Sequence, residues 1–469
     1  MGDKYFLAID IGASSGRHIL GAVTDGKLSL EEVYRFPNGM KEEDGTLYWD
    51  VDSLFEEILT GMKKCKDLGK IPVSVGVDTW GVDFILLDKD DKLLGKAVGY
   101  RDHRTRGMDE RVYEIVPEAK LYERTGIQKA IYNTIYQLMA LKEKDPAQLE
   151  RAESLLLMPD YFHFKLSGNK ASEYSEATTT QLVDPGKRDW DHDLIEKLGF
   201  PKKVFQKICM PGTFIGDLTE EVKAKVGYDC AVVLPPSHDT ASAVLAIPAT
   251  GDDVCYISSG TWSLMGVLLD EPDCSEKSRQ ADLTNEGGWA GKITYLANIM
   301  GLWMIQSVRN ALAPQMSYDE LCKSAAKESI KSIVDCQDPS FLSPDDMAQA
   351  VKDYCDRTGQ EVPETLPRLA AVIYNSLAKC YEEKLKLIEG MTGVYYDAIN
   401  IIGGGSNAGY LNQLTADFTG RTVIAGPSEA TAIGNILAQM INEGVFKGSE
   451  DARECVRRSF EVKVYKPTN

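Results

Sequence analysis

The sequence predicts an α/β protein made of two related halves, residues 1–245 and 246–469. An apolar strand, a turn rich in Gly, Ser and Thr, and a second apolar strand occur near the amino terminus and again near residue 255. In each half a mainly helical region follows. A pattern that recurs at a domain-sized interval indicates an internal repeat, and 469 residues are enough for two large domains.

The first forty residues are typical of antiparallel β-structure. The apolar run Tyr5–Ile9 ends in a polar turn over Asp10–Arg17, and Ile19–Val23 forms the next apolar run. The dipeptide Asp25-Gly26 is a strong signal for a tight hairpin, and it precedes a third run, Leu28–Tyr34. Three strands joined by short turns are therefore expected here.

The rest of the first half combines two strands with helices. Val73–Val77 and Val82–Leu87 read as strands on either side of a short polar interruption. Residues 103–230 are expected to be mainly helical. Within that range, Tyr132–Lys144 and Leu155–Leu166 carry apolar residues at helical spacing.

The second half repeats the opening pattern. Val254–Ile257 and Trp262–Leu269 read as strands around the turn Ser258–Thr261. Apolar residues at every third or fourth position between 366 and 388 predict one long helix. A strand, a glycine-rich turn and a helix are then expected over Ile399–Ile402, Gly403–Gly409 and Tyr410–Phe418.

Composition excludes several classes of partner. The chain has 52 Lys and Arg against 71 Asp and Glu, a net charge of −19. Binding to nucleic acid or to an anionic membrane surface requires positive charge, so neither is expected. The same charge means that an anionic ligand would need strong local hydrogen-bond donors.

The sequence also predicts a cytoplasmic protein. No uncharged apolar stretch approaches the roughly 20 residues that span a bilayer, and the amino terminus lacks the features of a signal peptide. The ten cysteines are scattered, without a C-x-x-C pair or a Cys/His cluster, so no zinc site or redox motif is expected. Reduced thiols fit this pattern.

Three glycine-rich turns follow apolar strands and are candidates for phosphate binding. Glycine lets backbone N–H groups approach a phosphate, although each turn taken alone is more often a tight connection. Asp10 lies at a strand end beside the first turn and could hold Mg²⁺ against phosphates. Ser258–Thr261 could hold the other side of a phosphate chain, and Gly403–Gly405 could lie against a nucleoside.

Asp239 is a candidate general base. It follows Ser237-His238 and precedes a run of small residues where a helix is expected to begin. A carboxylate there could accept a proton from a hydroxyl that attacks a phosphoryl group. A helix N-cap is the structural alternative for Asp239. His238 is expected to be a structural residue or a substrate contact.

A third feature suits a sugar. Asp78–Asp83 places polar groups beside Trp80, and Arg101–Arg104 follows about twenty residues later. Sugars need hydroxyl partners and an apolar face. The alternative is a plain connection between two strands with a core tryptophan.

Together these segments resemble the FGGY carbohydrate kinases of the actin-like ATPase superfamily. The resemblance extends over essentially the whole chain, and its most specific strings are those at Asp78, Ser237 and Asn298. The stretches that carry it are Asp10–Arg17, Asp78–Phe84, Tyr100–Arg104, Leu157–Phe162, Glu176–Leu182, Ser237–Val244, Ser258–Met265, Thr284–Gly288, Asn298–Trp303 and Gly403–Gly405.

The resemblance implies two actin-like, ribonuclease H-like ATPase domains flanking a central cleft. The first would bind the sugar and carry the first phosphate turn, and the second would bind the nucleotide. The implied reaction is transfer of the γ-phosphate of ATP, with Mg²⁺, to the 1-hydroxyl of L-rhamnulose.

The resemblance also implies roles for individual residues. Asp239 would be the catalytic base, while Asp10 is the candidate Mg²⁺ ligand from its place at a strand end. The implied nucleotide contacts are Ala13, Ser14, Ser15, Gly16, Arg17, Thr261, Gln306 and Gly404. The implied sugar contacts are Gly81, His238, Asp239, Thr240 and Asn298.

Two alternatives stay open at this point. The first is a kinase of the same fold that acts on another ketose or deoxysugar, such as fuculose or xylulose, because a few hydroxyl contacts decide sugar choice. The second is an actin-like ATPase that serves as a binding module without a sugar. The chain reads Ser406–Gly409 after its last glycines, where some relatives differ, and residues 310–365 match no motif.

Overall fold

The computed structural model describes residues 4–251, 253–342 and 344–468. The chain divides into two compact units. The first consists of Met1–Ala246, Leu269–Tyr295 and Thr431–Ser459, and the second of Ile247–Leu268, Leu296–Ala430 and Phe460–Asn469. Both units are therefore assembled from segments that are distant in sequence.

Strands are numbered here in chain order. They are β1 (Tyr5–Ile11), β2 (Ser15–Thr24), β3 (Lys27–Pro37), β4 (Lys41–Glu43), β5 (Thr46–Trp49), β6 (Pro72–Thr79), β7 (Phe84–Leu87), β8 (Ala97–Val98), β9 (Ser154–Leu157), β10 (Ser172–Glu173), β11 (Val183–Asp184), β12 (Asp189–Trp190), β13 (Ile208–Cys209), β14 (Phe214–Asp217), β15 (Ala231–Val233), β16 (Cys255–Ser259), β17 (Ser263–Leu269), β18 (Leu283–Gly287), β19 (Ile293–Ile299), β20 (Ala398–Ile402), β21 (Thr422–Ala425) and β22 (Lys463–Tyr465).

The α-helices are numbered in the same way. They are α1 (Val51–Asp67), α2 (Met108–Tyr113), α3 (Glu118–Thr125), α4 (Thr134–Lys144), α5 (Pro146–Arg151), α6 (Met158–Ser167), α7 (Tyr174–Thr178), α8 (His192–Lys197), α9 (Glu220–Val226), α10 (Asp239–Leu245), α11 (Glu276–Gln280), α12 (Trp303–Leu312), α13 (Tyr318–Ala325), α14 (Met347–Arg357), α15 (Leu366–Thr392), α16 (Gly409–Thr419), α17 (Ala430–Asn442) and α18 (Ser449–Ser459). Short 3-10 turns occur at His103–Thr105, Lys202–Val204, Trp289–Gly291, Pro339–Phe341 and Gly404–Asn407.

The sheet of the first unit has the order β14-β15-β6-β1-β2-β3. The hairpins β1–β2 and β2–β3 are antiparallel, as the sequence predicts, and β6 is parallel to both β1 and β15. Asp25 and Gly26 both have positive φ, which is the geometry of a tight hairpin turn. Apolar residues of β1 and β6 pack against α1, with Leu7, Ile58 and Val77 completely buried.

The second unit is also a sheet covered by helices. Five neighbouring strands of its sheet follow the order β17-β16-β20-β21-β22, with β16, β20 and β21 parallel to one another. The long predicted helix is confirmed as α15, whose apolar stripe from Leu369 to Ile388 is buried. Thr365 caps it by accepting a hydrogen bond from Arg368 N, and Gly393 ends it in the left-handed conformation.

Some predicted boundaries were wrong. Asp10 and Arg17, which were expected in a polar turn, lie in β1 and β2, so the turn itself is only three residues long. Leu155–Leu157 was expected to open a helix, but it forms β9 and pairs with β7. A short apolar run does not distinguish a buried strand from a buried helix, and the partner strand decides.

Helix α17 packs closely on α10 within the first unit. A Cβ atom at Gly434 would lie 1.7 Å from the backbone carbonyl oxygen of Ser242. From the same helix, Gln439 donates to the Leu7 carbonyl at 2.9 Å and accepts from Ser74 Oγ at 2.7 Å. The absence of a side chain at Gly434 therefore brings α17 close enough to bond with the sheet.

Among the residues that the structure describes, no helix is both long and apolar enough to cross a membrane. All ten cysteines are free thiols.

We predict that Gly434→Ala destabilises the protein by about 1–3 kcal/mol or more, because backbone cannot move aside as a flexible side chain can. Gly390→Ala is the control. Gly390 lies in α15 with open space around it, so alanine there should be neutral or stabilising by about 0.5–1 kcal/mol. Thermal unfolding of both variants gives the comparison. Equal melting temperatures would contradict the close packing of α17.

Candidate active site

The candidate site of the first unit lies where parallel strands end. Strand β1 is parallel to β6, in a register that pairs Asp10 with Asp78. On the other side of β6 is β15, and the chain after β15 leads to Asp239. A bridge between Thr79 and His238 continues this pairing beyond the strands. Because the carboxyl ends of parallel strands share one edge of a sheet, the three aspartates meet there.

Asp10, the predicted metal ligand, forms an ion pair with a predicted phosphate contact. Its Oδ2 accepts hydrogen bonds from Arg17 Nε at 3.0 Å and from Arg17 Nη2 at 2.8 Å. The two residues face each other across the β1–β2 hairpin. The pair holds the guanidinium at the mouth of the first glycine-rich turn.

Asp78 lies behind Asp10 and is completely buried. Its Oδ2 accepts from Asn435 Nδ2 at 2.6 Å, whereas Oδ1 has no hydrogen-bond partner among the described residues. Burial, and next the charge of Asp10, raise the pKa of Asp78 well above its ordinary value. The environment therefore favours the neutral acid, and a nearby cation would relieve the carboxylates.

The side chains at this edge that could bind a metal ion are the carboxylates of the three aspartates. Within residues 4–251, 253–342 and 344–468, no group of three or more His, Cys, Asp or Glu side chains is arranged to hold a metal ion. Mg²⁺ is usually held by one or two carboxylates together with waters and substrate phosphates. Asp10 with Asp78 behind it fits that pattern.

The first glycine-rich turn is closed by its own backbone. Gly12 N donates to Ser15 O at 2.9 Å, and Asn38 holds the turn from the side through Gly12 O at 2.8 Å. Ser14 is exposed, whereas Gly16 is buried against Phe36. Ala13, Ser14 and Ser15 are thus the exposed or half-buried part of the predicted phosphate contact.

The segment that carries Asp239 is anchored through its backbone. Glu173 Oε2 accepts from Ser237 N at 3.0 Å, and Ser175 Oγ accepts from His238 N at 3.2 Å. On the opposite side, Thr79 N donates to Ser237 O at 2.9 Å. No local sequence signal marks Glu173 and Ser175, because they lie 64 and 63 positions before their partners and meet them only in the folded chain.

Asp239 is the first residue of α10, and His238 is the N-cap position, so the N-cap alternative for Asp239 was wrong by one residue. The Asp239 side chain is 38% exposed. Its Oδ1 accepts from Thr240 N at 2.6 Å. Desolvation, and to a smaller degree the charge of Asp10, raise the pKa of Asp239 above its ordinary value, although the neighbouring His238 acts to lower it.

His238 lies between two carboxylates. Its Nδ1 is 3.2 Å from Glu286 Oε2, and its Nε2 is 3.6 Å from Asp239 Oδ1. Burial of the ring lowers its pKa, but Glu286 together with Asp239 and Glu173 outweighs burial and raises the pKa to about 9. The imidazole is therefore a cation at neutral pH.

The polar residues around Trp80 suggested that its ring would contact a sugar. The ring is instead buried. It is only 8% exposed and lies 4.1 Å from Trp49, ring centroid to centroid. Both indole N–H groups donate to Asp83 Oδ2, at 3.0 and 2.6 Å, and Gln137 donates to Asp83 Oδ1 at 3.0 Å. These residues form a buried polar core under the loop.

The loop above that core is held in an unusual conformation. Val82 has a φ of 70°, which is rare for a β-branched residue. Its N–H donates to Thr179 Oγ1 at 3.0 Å, and its carbonyl accepts from Thr134 Oγ1 at 2.6 Å. The preceding Gly81 lies so close to Thr179 that a Cβ atom would be 2.9 Å from Thr179 Cγ2. Gly81, a predicted sugar contact, is thereby rigidly placed.

The second unit contains the other predicted nucleotide contacts. Strands β16 and β20 are parallel and end side by side. The turn after β16 carries Thr261, which is exposed and whose Oγ1 donates to Gln306 Oε1 at 3.3 Å. After β20, Gly403 has a φ of 80°, and a Cβ atom there would lie 3.0 Å from Ser259 O. Gly404 is exposed with open space around it.

Asn298, a predicted sugar contact, is half-buried in the second unit. Gln337 binds the backbone around it, donating to Asn298 O at 3.1 Å and accepting from Met300 N at 3.1 Å. Gln337 comes from residues 310–365, to which the sequence assigned no role. Part of that region therefore supports the Asn298 segment.

Two family models match most of the chain. The model for the FGGY family of carbohydrate kinases, N-terminal domain, matches residues 5–246, and the model for its C-terminal domain matches residues 255–443. Rhamnulokinase from Halalkalibacterium halodurans is 48% identical over 462 residues, covering 98% of each chain. Rhamnulokinase from Bacillus subtilis is 40% identical and covers 98% of this chain and 95% of the relative.

Solved kinase structures share the fold. Xylulose kinase from Lactobacillus acidophilus matches with a TM-score of 0.80 at 16% identity, covering 99% of this chain and 94% of that chain. Plasmodium falciparum glycerol kinase with ADP matches with a TM-score of 0.78 at 14% identity, with the same coverage. These matches confirm the predicted two-domain α/β fold of the actin-like type and, at such identities, concern the fold alone.

The charge state of His238 gives a stability prediction. A histidine with a folded-state pKa near 9 stabilises the folded state fully below its unfolded value of about 6.5, and that contribution is lost as the pH rises through 9. The wild type should therefore have a higher melting temperature than His238→Gln at pH 6.5, and this difference should decrease as the pH rises to 9. A difference that stays constant over this range would contradict a cationic His238.

Proposed function

The chain belongs to the FGGY family of carbohydrate kinases, and we propose that it transfers the γ-phosphate of ATP to the 1-hydroxyl of L-rhamnulose. The products are L-rhamnulose 1-phosphate and ADP. The observation that carries this choice is the 48% identity to a rhamnulokinase over 98% of both chains. The xylulose kinase from Lactobacillus acidophilus is only 16% identical to this chain, so it does not support xylulose as the substrate.

Asp239 is the proposed general base. It is the partly exposed carboxylate of an edge that also holds Asp10 and the buried Asp78. In the reaction, the sugar O1 forms a bond to Pγ as the bond from Pγ to the bridging oxygen of ADP breaks. The proton of the 1-hydroxyl passes to Asp239. Such transfers need in-line placement and charge stabilisation more than covalent chemistry.

His238 and Thr240, on either side of the base, are proposed sugar contacts, together with Gly81 from the first unit and Asn298 from the second. Anchoring of the Ser237 backbone and close packing at Gly81 support a rigid site in the first unit. Rigid hydrogen-bond partners suit discrimination between sugars, because a sugar that lacks the matching hydroxyl leaves a buried polar group unpaired.

Each unit carries proposed nucleotide contacts. Ala13–Arg17 in the first unit, and Thr261, Gln306 and Gly404 in the second, would supply backbone N–H groups, hydroxyls and a guanidinium. Exposure of Ser14, Thr261 and Gly404 supports this assignment. Bound Mg²⁺, held by Asp10, would neutralise phosphate charge during the transfer.

A cytoplasmic location is proposed for the chain. The ten free thiols are compatible with a reducing compartment, and both proposed substrates are small soluble molecules. No nucleic-acid or membrane partner is proposed, because the net charge of −19 disfavours both.

A sugar panel tests the substrate. ADP release, measured by a coupled assay, should be highest with L-rhamnulose and lower with fuculose or xylulose, since the hydroxyl contacts differ. Preference for another ketose would overturn the substrate but not the kinase family. ATP hydrolysis as the main activity, without dependence on any sugar, would overturn a kinase role altogether.

Asp239→Asn tests the base. Turnover should fall by about 10²–10⁴, because the amide cannot take the proton, while binding of ATP and sugar, measured by calorimetry, stays near the wild-type value. Asp217→Asn, an exposed aspartate of the same unit, is the control and should retain full turnover. Asp239→Asn with turnover near that of the control would show that another group accepts the proton.

A further inference from the structure

A half-buried glutamate, Glu286, faces the side of His238 that points away from Asp239. Glu286 Oε2 lies 3.2 Å from His238 Nδ1, and the two side chains are only 13% and 12% exposed. The ring's other nitrogen, Nε2, points to Asp239, whose side chain is 38% exposed. His238 thus lies between Glu286 and the more exposed Asp239 in the first unit.

Glu286 and His238 offset the free-energy cost of removing each other's charge from water. Apart from this 3.2 Å contact with each other, neither His238 Nδ1 nor Glu286 Oε2 has a hydrogen-bond partner among the residues that the structure describes, and both atoms are buried. A buried charge without a partner is costly. Attraction between the imidazolium and the carboxylate is therefore what offsets burial at this position.

The position of Glu286 is set independently of His238. Its backbone carbonyl in β18 accepts from Thr294 Oγ1 at 3.0 Å, and the next residue, Gly287, donates to Thr178 Oγ1 at 2.8 Å. A Cβ atom at Gly287 would lie 2.6 Å from the Tyr174 ring. Glu286 is thus presented by a strand fixed to α7, so it can act as the reference that orients the imidazole.

We propose that Glu286 is a positioning residue for phosphoryl transfer, and that its carboxylate orients the His238 imidazole so that Nε2–H faces Asp239 and the sugar hydroxyl. The proposal rests on the proposed function, because it takes Asp239 as the base. Glu286 contacts neither reacting atom in this account. It acts through His238, which keeps a positive charge 3.6 Å from the carboxylate of Asp239.

The positive charge of His238 supports the proposed reaction. Asp10, Asp78 and Asp239 place three carboxyl groups near the point where phosphate must arrive. A cation held behind Asp239 favours the carboxylate form that a base requires. Without the Glu286 carboxylate, the buried imidazole would lose the partner that favours both its protonation and its orientation.

A double-mutant cycle tests the proposal, with variants Glu286→Gln, His238→Gln and the pair together. Glu286→Gln should lower kcat by about 10- to 100-fold, less than loss of a general base of about 10²–10⁴, with a smaller change in KM for the sugar. Since Glu286 acts through His238, Glu286→Gln should have little further effect once His238 is replaced. Two effects that multiply independently would overturn the proposal.

Two further variants guard against a merely structural effect. Glu286→Asp keeps the charge and should retain more kcat than Glu286→Gln; equal loss in both would overturn the proposal. It also takes the place of Glu286→Gln in the cycle if that variant does not fold. Glu271→Gln, an exposed carboxylate from the same segment of the first unit, removes the same charge and should leave kcat unchanged. Glu286→Gln with the kcat of this control would contradict the proposal.

A spectroscopic measurement makes the test independent of substrate. In protein labelled with ¹⁵N-histidine, the His238 signals, identified by their loss in His238→Gln, should show both ring nitrogens protonated at pH 7.5. Glu286→Gln should abolish that signature. A neutral ring in the wild type would overturn the proposal. If the wild type prefers another sugar, the substrate assignment fails, but the cycle run with that sugar still decides the role of Glu286.

Discussion

The site depends on the hydrogen bonds that the buried carboxylate of Glu173 accepts. This carboxylate accepts from Ser237 N, from Glu176 N and from both the N–H and the hydroxyl of Ser175. Desolvation raises the pKa of Glu173 above its ordinary value, and these donors offset only part of that rise. An acceptor saturated in this way joins the start of α7 to the segment that carries His238, so the proposed base is positioned by main-chain bonds and not by its own side chain alone.

The acidic net charge and a phosphate ligand are reconciled locally. Three carboxyl groups at the strand ends repel an anion, but Asp78 is driven toward its neutral form by burial, and Arg17 partners Asp10. His238 adds a further positive charge. The net charge of −19 then bears on solubility and on excluded partners, because exposed charges beyond about 8–10 Å are screened.

Features with a local signal could be predicted from the sequence. The hairpin at Asp25, the long helix α15 and the exposed Gly404 turn all follow from periodicity or from turn chemistry over a few residues. Partner-dependent features could not. Leu155–Leu157 forms a strand because β7 pairs with it. Trp80 is buried and donates a hydrogen bond to Asp83. Only tertiary contacts bring Glu173, Glu286 and Gln337 to the candidate site residues.

The central claim is that the fold places the Asp239 carboxylate where it takes the proton of the sugar's 1-hydroxyl. A crystal structure of the protein with L-rhamnulose and ADP tests it most directly. The account predicts an Asp239 oxygen within hydrogen-bond distance, about 2.6–3.2 Å, of that hydroxyl, with His238 on the same carboxylate. A complex in which Asp10 or Asp78 contacts the 1-hydroxyl, and Asp239 does not, would contradict it.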